Sequence, residues 1–256
     1  MKYELGHGSF RGIWKTLLLS FIVDIIQSMK YKTLLFDLDG TILDFSKTEE
    51  AALIAAYKIV FDTKPIDNLQ SVYHKINSAL WKEFEKGNIK ISDLKKKRFS
   101  DLFAYFDLNA NSDDFSDIYL SELGKGGYLL EGAMDILNYC KKHYRLAAIT
   151  NGIGDVQRSR IRVAKIEHFF ETIVISEDVG IAKPDPEIFT IAFEKMKLTN
   201  KNEILMIGDS LSSDILGGIN AGIDTCWIKG NGDKTKDIEP TFTISNISKL
   251  KEILNQ

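Results

Sequence analysis

The chain has 256 residues, of which 44% are hydrophobic and 27% carry a charge. This length is sufficient for one sizeable core and a smaller second domain, because domains usually contain about 100 to 150 residues. The formal net charge of -3 argues against binding to a nucleic-acid polymer, which needs a broad basic surface. Cys140 and Cys226 are far apart and lack metal-binding spacing, which favours a reducing cytoplasm.

An apolar segment, residues 13–26, lies near the N-terminus. Lys15 and Asp24 interrupt it, and the short apolar stretch between them is far below the about 20 residues that a spanning helix needs. A small-residue cleavage site does not follow, which argues against a signal peptide. We therefore interpret residues 1–28 as an extension before a fold that begins at Met29. An amphipathic tether to a membrane surface is the alternative.

Five short apolar runs recur along the chain, each followed by a polar turn and a stretch with helical periodicity. They are residues 32–36, 145–149, 171–175, 203–207 and 224–228. Such runs are typical of parallel strands that are buried on both faces, so the pattern predicts a doubly wound parallel α/β sheet. Residues 241–245 are predicted to add an edge strand, and residues 246–254 a closing helix capped by Asn246.

A long helical stretch separates the first two predicted strands. It contains about 100 residues, far more than a crossover connection requires. The pattern therefore predicts an inserted, all-helical domain over residues 46–126. Residues 29–45 and 127–256 would then form the core, and the glycine-rich stretch 123–128 would serve as a hinge.

Polar side chains follow the first four predicted strands, at the edge of the sheet where ligands bind. In chain order they are Asp37 and Asp39, Thr150 and Asn151, Lys183, and lastly Asp209 and Asp214. Taken one at a time, they have ordinary explanations as turn residues, helix-capping acids or a surface lysine. Taken together, they predict that carboxylates, a hydroxyl and an ammonium group converge on one edge.

Two acids at one edge can divide the work of phosphoryl transfer. Asp37 is predicted to attack phosphorus, and Asp39 to carry the proton. Clustered carboxylates would repel a phosphate dianion, so a hard cation is required, and Mg²⁺ prefers such oxygen ligands. The predicted ligands are the side chains of Asp37 and Asp209 and the main-chain carbonyl of Asp39. Asp214 either binds the metal through water or positions Lys183.

Groups that meet the phosphoryl oxygens are also predicted. The Thr150 hydroxyl and the Asn151 amide would bind these oxygens, and Lys183 would offset their charge and that of Asp37. The four histidines do not cluster in the sequence, which argues against a zinc site.

The order of these motifs resembles that of the haloacid dehalogenase superfamily: D-x-D-G-T, a strand-end threonine, a lysine and G-D-S-x-x-x-D. The resemblance extends over residues 30–256. It implies a Rossmann-like core, an aspartyl-phosphate on Asp37, and a helical cap domain that closes over the substrate. Carbon–halogen hydrolysis is disfavoured, because members with that activity lack the second acid, which here is Asp39.

A closer resemblance is to the bacterial noncanonical pyrimidine nucleotidases. It is carried by residues 174–185 and 214–227 and by a spaced set in the inserted domain. That set is Asn77, Leu80, Trp81, Gly87, Ile89, Leu94, Arg98 and Phe99. The resemblance implies a nucleoside 5'-monophosphate as the substrate. Trp81 would stack on the base and Arg98 would bind a phosphate or ribose oxygen. Alternatively, Trp81 belongs to the domain's own core and Arg98 pairs with an acidic neighbour.

Three other functions are alternatives. The first is a phosphatase of a sugar phosphate or an acylneuraminate phosphate. The second is a phosphomutase, in which the aspartyl-phosphate meets a sugar instead of water. The third is a binding protein without catalysis, which would be expected to have lost at least one reactive residue, whereas this sequence retains all of them. The sequence predicts a small phosphorylated metabolite as the partner, no stable membrane span, and nothing about oligomeric state.

Overall fold

The computed structural model of the protein describes residues 29–230 and 237–255. The predicted N-terminal extension, residues 1–28, lies outside this part of the chain. Among the helices that the structure describes, none is both long and apolar enough to cross a membrane.

A six-stranded parallel sheet forms the centre of the fold. Its strands are β1 (Thr33–Phe36), β2 (Arg145–Thr150), β3 (Thr172–Ile175), β4 (Ile204–Gly208), β5 (Asp224–Ile228) and β6 (Phe242–Ile244). Their order across the sheet is β3-β2-β1-β4-β5-β6. The chain therefore winds first to one side of β1 and then to the other, which confirms the predicted doubly wound sheet and places β6 at its edge.

The first four helices between β1 and β2 form the insertion. They are α1 (Phe45–Phe61), α2 (Leu69–Glu85), α3 (Ile91–Phe106) and α4 (Ser112–Leu123). Aromatic side chains form much of the apolar cluster that they share, and the rings of Tyr73 and Phe99 stack with their centres 5.3 Å apart. Ile153 and Val156, which lie outside the insertion, complete this cluster. The helices thus bury their apolar faces largely against one another.

The two connections of the helical insertion run side by side. The N–H of Asp44 donates to the carbonyl of Tyr128 at 2.9 Å, and the N–H of Leu130 donates to the carbonyl of Ile42 at 3.0 Å. The outgoing connection ends at the N-cap of α1, where the Asp44 side chain accepts from the N–H of Lys47 at 3.0 Å. The insertion therefore leaves and re-enters the core at a single place.

Helices cover both faces of the sheet. They are α5 (Ala133–His143), α6 (Gly154–Val163), α7 (Ser176–Val179), α8 (Pro186–Met196), α9 (Leu216–Ala221) and α10 (Leu250–Leu254). Successive side chains of a strand point to opposite faces. Leu34 and Phe36 accordingly join an apolar cluster with Leu137 of α5, whereas Leu35 joins a second cluster with Phe189 of α8.

The predicted closing helix differs from the structure at its start. A 3₁₀ turn, Ile247–Lys249, precedes α10, and the side chain of Asn246 makes no capping hydrogen bond. Its amide donates instead to the hydroxyl of Ser245 at 3.3 Å. Asn246 therefore occupies the predicted cap position, but its side chain turns back towards Ser245 and does not make the predicted capping hydrogen bond.

Candidate active site

The parallel sheet brings the ends of β1 and β4 together. The N–H of Asp37, directly after β1, donates to the carbonyl of Ile207 in β4 at 2.9 Å. Asp209 comes directly after the last residue of β4, so Asp37 and Asp209 lie on the same edge of the sheet. Gly40 has φ +84°, and a Cβ atom there would lie 2.2 Å from Oδ2 of Asp209. The glycine of the first motif therefore makes room for the acid of the last one.

Lys183 is the centre of the charged cluster, with a side chain only 1% exposed. Its Nζ atom donates to Oδ1 of Asp37 at 2.6 Å, to Oδ1 of Asp214 at 2.7 Å and to the carbonyl of Ile149 at 2.7 Å. Burial lowers the pKa of Lys183, but the charges of Asp214 and Asp37 outweigh that effect and raise it. The ammonium group is therefore charged, and all three of its hydrogens have acceptors.

The position of Lys183 is fixed by Asn151. The side-chain amide of Asn151 donates to the carbonyl of Lys183 at 2.9 Å, and its oxygen accepts from the N–H of Lys183 at 2.8 Å. From the sequence, we predicted that the Asn151 amide binds phosphoryl oxygens. The contact with Lys183 was not predicted, because residues 151 and 183 belong to different loops.

Two buried carboxylates and a half-buried one form a potential metal site. Oxygens of Asp37, Asp209 and Asp214 lie within 4.8 Å of one another. Burial raises the pKa of Asp37 well above its usual range, an effect that Lys183 opposes and the other two acids strengthen. Burial, together with the charge of Asp214, raises the pKa of Asp209 to about 7. Carboxylates so crowded and desolvated suit a hard divalent cation, so the donor set fits Mg²⁺.

Asp214 is positioned by a π-helical turn, Leu211–Ile215, that follows β4. Its Oδ2 atom accepts from the N–H of Ser210 at 3.0 Å, while Oδ1 accepts from Lys183. Of the two roles predicted for Asp214, the contact with Lys183 is therefore present in the structure.

Thr150 ends β2 and is 1% exposed. Its hydroxyl oxygen accepts from Nε2 of Gln157 at 2.7 Å and from the N–H of Gly152 at 3.2 Å. Because the oxygen is occupied as an acceptor, the hydrogen of the hydroxyl group is left to donate to a ligand. This arrangement suits the phosphoryl contact predicted for Thr150.

Asp39 is held by two residues that the sequence did not indicate. Nη1 of Arg160 donates to Oδ1 of Asp39 at 2.5 Å, and Nε2 of Gln157 donates to Oδ2 at 2.8 Å. Both donors lie on α6, three residues apart, and therefore share one face of the helix. Polar residues at that spacing on a helix directly after a catalytic strand are the signal that sequence reasoning could have used.

A cavity of 320 Å³ joins the cluster of acids to the helical insertion. The core side includes Asp37, Lys183 and Asp209, and the insertion contributes Trp81 and Arg98. The structure thus brings both residues predicted for substrate contact to the same cavity as the acids.

Arg98 lines this cavity, and part of its guanidinium group makes no hydrogen bond to the described residues. The residue is 1% exposed, and its Nε and Nη2 atoms lack a hydrogen-bond partner among the described residues. The guanidinium group lies over the rings of Phe99 and Tyr119, at 4.9 and 4.8 Å from their centres. The alternative in which Arg98 pairs with an acidic neighbour is therefore not what the described part of the structure contains.

Comparison with known proteins places these features in context. Residues 34–228 match the family described as haloacid dehalogenase-like hydrolase. The chain is 35% identical to the HAD-hydrolase YfnB of Bacillus subtilis, over 88% of this chain and 96% of YfnB. A magnesium-bound crystal structure of YfnB, described as revealing interdomain movement, superposes with a TM-score of 0.84, covering 89% of this chain and 100% of that one.

Two further relatives have a named activity. The pyrimidine 5'-nucleotidase YjjG of Escherichia coli is 32% identical, over 88% of this chain and 99% of YjjG. The pyrimidine 5'-nucleotidase PynA of Streptococcus pneumoniae is 35% identical, over 89% of this chain and 97% of PynA.

Proposed function

This chain belongs to the haloacid dehalogenase-like hydrolases, as its four motifs predicted, and on that premise we propose that it is a phosphatase of pyrimidine nucleoside 5'-monophosphates that works through an aspartyl-phosphate on Asp37. The observation that carries this proposal is the hydrogen-bonded group of Asp37, Lys183 and Asp214 at the ends of the central strands. Lys183 fixes one oxygen of Asp37 and leaves Oδ2 for attack on phosphorus.

The reaction has two steps. In the first, Oδ2 of Asp37 forms a bond to phosphorus while the bond to the leaving oxygen breaks, and Asp39 gives that oxygen a proton. In the second, water attacks the phosphorus of the aspartyl-phosphate, Asp39 accepts a proton from the water, and phosphate departs from Asp37. The Thr150 hydroxyl donates to a phosphoryl oxygen in both steps, and Lys183 offsets the negative charge.

A bound Mg²⁺ would neutralise the negative charge of the carboxylates and of the phosphoryl group as it is transferred. The side chains of Asp37 and Asp209 and the carbonyl of Asp39 would hold it, with Asp214 nearby. The raised pKa values of Asp37 and Asp209 support this ligand set. Burial disfavours the charged forms of the two carboxylates, and a divalent cation would stabilise those forms.

The substrate class rests on the insertion and on the relatives. Arg98 lines the cavity and has N–H groups without a hydrogen-bond partner among the described residues, and uracil and thymine carry carbonyl oxygens that accept hydrogen bonds. Trp81 also lines the cavity and presents an aromatic surface on which a base can stack. Two relatives of 32% and 35% identity are pyrimidine 5'-nucleotidases, which supports the same assignment.

We also propose that residues 46–126 form a cap domain over a core of residues 29–45 and 127–256. The four helices of the insertion share an apolar cluster, and its two connections lie side by side. Both features are expected of a unit that can move over the cavity between the steps of a reaction.

The test compares kcat/KM over a panel of phosphate esters with Mg²⁺ present. The panel contains the 5'-monophosphates of uridine, thymidine, adenosine and guanosine, several hexose phosphates and N-acetylneuraminate 9-phosphate. We expect the two pyrimidine nucleotides to rank highest. Higher turnover of a sugar or acylneuraminate phosphate would overturn the nucleotidase assignment. Transfer of the phosphate to a second sugar position, without phosphate release, would instead identify a mutase.

A further inference from the structure

We propose that Arg160 is a positioning residue that couples the carboxylate of Asp39 to the hinge of the cap. The proposal rests on the proposed function, in which Asp39 carries the proton. Its basis is a set of contacts that one buried side chain makes to the returning connection of the insertion, to the first residue of α1 and to the acid.

The guanidinium group of Arg160 is 1% exposed and has partners in three directions. Nε donates to the carbonyl of Gly126 at 3.0 Å, on the returning connection. Nη1 donates to Asp39 at 2.5 Å and to Oε1 of Gln157 at 3.0 Å. The group also lies 5.4 Å from the ring centre of Phe45, the first residue of α1. Arg160 thus contacts the start of α1 and the returning connection of the insertion, as well as the acid.

The position of Gly126 is tied to the insertion. A Cβ atom on Gly126 would lie 2.1 Å from Cγ2 of Thr48, which belongs to α1. On the next residue, Gly127, a Cβ atom would lie 2.6 Å from the main-chain nitrogen of Ala164, at the end of α6. Neighbouring residues therefore pack against different parts of the molecule, which locates the pivot between Gly126 and Gly127.

These contacts transmit a displacement. If α1 moves, Gly126 moves with it, and Nε of Arg160 must follow its carbonyl or lose a hydrogen bond in a buried place. The guanidinium fork is planar and rigid, so a shift at Nε also moves Nη1. Asp39, which accepts from Nη1, is then drawn along or released. The place of the proton-carrying acid is thereby set by the place of the cap.

The experiment uses two esters that differ in their need for an acid. A nucleoside leaves as a poor leaving group and needs a proton, whereas 4-nitrophenolate leaves readily without one. First-turnover release of nucleoside or nitrophenol reports only the formation of the aspartyl-phosphate. We expect Arg160→Met to slow nucleoside release about 100-fold, a typical loss for general acid catalysis, and to leave nitrophenol release nearly unchanged.

Two further variants separate the hinge contact from the ion pair. Arg160→Lys keeps a charge beside Asp39 but lacks the fork needed to bind Gly126 as well, so nucleoside release should remain slow while thermal stability is retained. Gly126→Ala forces a Cβ atom against Thr48. It should slow nucleoside release in the parent but not in the Arg160→Met background, a coupling that a double-mutant cycle measures.

The matched control is Arg158→Met, on the same helix, where the arginine is 46% exposed and pairs with Asp155 and Asp178 instead of Asp39. It should change neither rate. Equal slowing of both esters by Arg160→Met, full activity of Arg160→Lys, or additive effects of Gly126→Ala and Arg160→Met would each overturn the proposal. If the parent protein released neither product, the proposed phosphatase function would be overturned as well.

Discussion

The floor and the roof of the cavity treat buried charge in opposite ways. The floor consists of Asp37, Lys183, Asp209 and Asp214 from the core, and its ammonium group has three acceptors within 2.7 Å. The roof contains Arg98, whose Nε and Nη2 have no partner among the described residues. An unpaired buried charge is costly, so we propose that a ligand completes the roof. Under the proposed function, the groups for catalysis are organised in advance, whereas those for recognition await the substrate.

The largest effect is expected from breaking the floor at its nucleophile. Asp37→Asn should lower phosphate release by about 1,000-fold or more, because an amide does not attack phosphorus in place of a carboxylate. Release of phosphate from uridine 5'-monophosphate with Mg²⁺ measures this. Asp62→Asn, at an exposed position with φ 51° that asparagine tolerates, is the control and should be fully active. An active Asp37→Asn protein would rule out the covalent mechanism.

The charged partner in the floor should matter for stability as well as for activity. Lys183→Met leaves two buried carboxylates without their cation, so the free energy of unfolding should fall by about 3 to 5 kcal/mol. Urea denaturation of the metal-free protein measures the loss. Lys86→Met, which removes an exposed ion pair with Glu83, should leave the denaturation midpoint where it was. A stable Lys183→Met protein would mean that the floor is not held by its charges.

Removal of the charge in the roof should have the opposite effect on stability. Arg98→Met removes an unpaired buried charge while keeping most of the side-chain volume, so thermal stability should be unchanged or higher. Loss of a charged hydrogen bond to the base or ribose should lower kcat/KM for pyrimidine nucleotides by about 10- to 100-fold. Turnover of 4-nitrophenyl phosphate, which lacks both groups, should be retained. A lower melting temperature together with equal losses on both esters would show that Arg98 has only a structural role.

The smallest effect concerns pH and Mg²⁺. Because the pKa of Asp209 is raised from 3.8 to about 7 in the folded protein, the metal-free fold binds the extra proton and loses stability as pH rises through that interval. Mg²⁺ must displace the proton, so its apparent affinity should fall up to about tenfold for each pH unit below 7. Melting temperatures measured with and without Mg²⁺ from acid to neutral pH test this. Asp209→Asn should weaken the pH dependence and leave the part that comes from the raised pKa of Asp37, whereas a gain from Mg²⁺ that is largest at acid pH would contradict the assignment.

Much of the floor could be predicted from the sequence because a parallel sheet fixes where strand ends meet. Once the apolar runs were interpreted as strands, residues such as Asp37 and Asp209 had to share an edge. The family resemblance that these motifs indicated is confirmed by the match over residues 34–228. The roles of the individual site residues and the domain boundaries stay predictions.

The contacts that support the floor could not be predicted in the same way. Arg160 and Gln157 reach Asp39 only because of how α6 packs on the sheet, and Asn151 meets Lys183 across two loops. The surroundings of Arg98 could not be predicted from the sequence either. Its sequence neighbours do not reveal that Arg98 forms no ion pair with any acid in the described part of the chain, because that depends on how the helices of the insertion pack together.

The paired connections of the insertion have a consequence for how such a protein diversifies. Main-chain hydrogen bonds join Ile42 to Leu130 and Asp44 to Tyr128. The chain therefore departs from the sheet and returns to it within the width of a hairpin. Everything beyond that point can be lengthened, shortened or exchanged over evolutionary time without changing the register of any strand. New leaving groups can thus be acquired through one replaceable segment, while the reactive carboxylate is inherited intact.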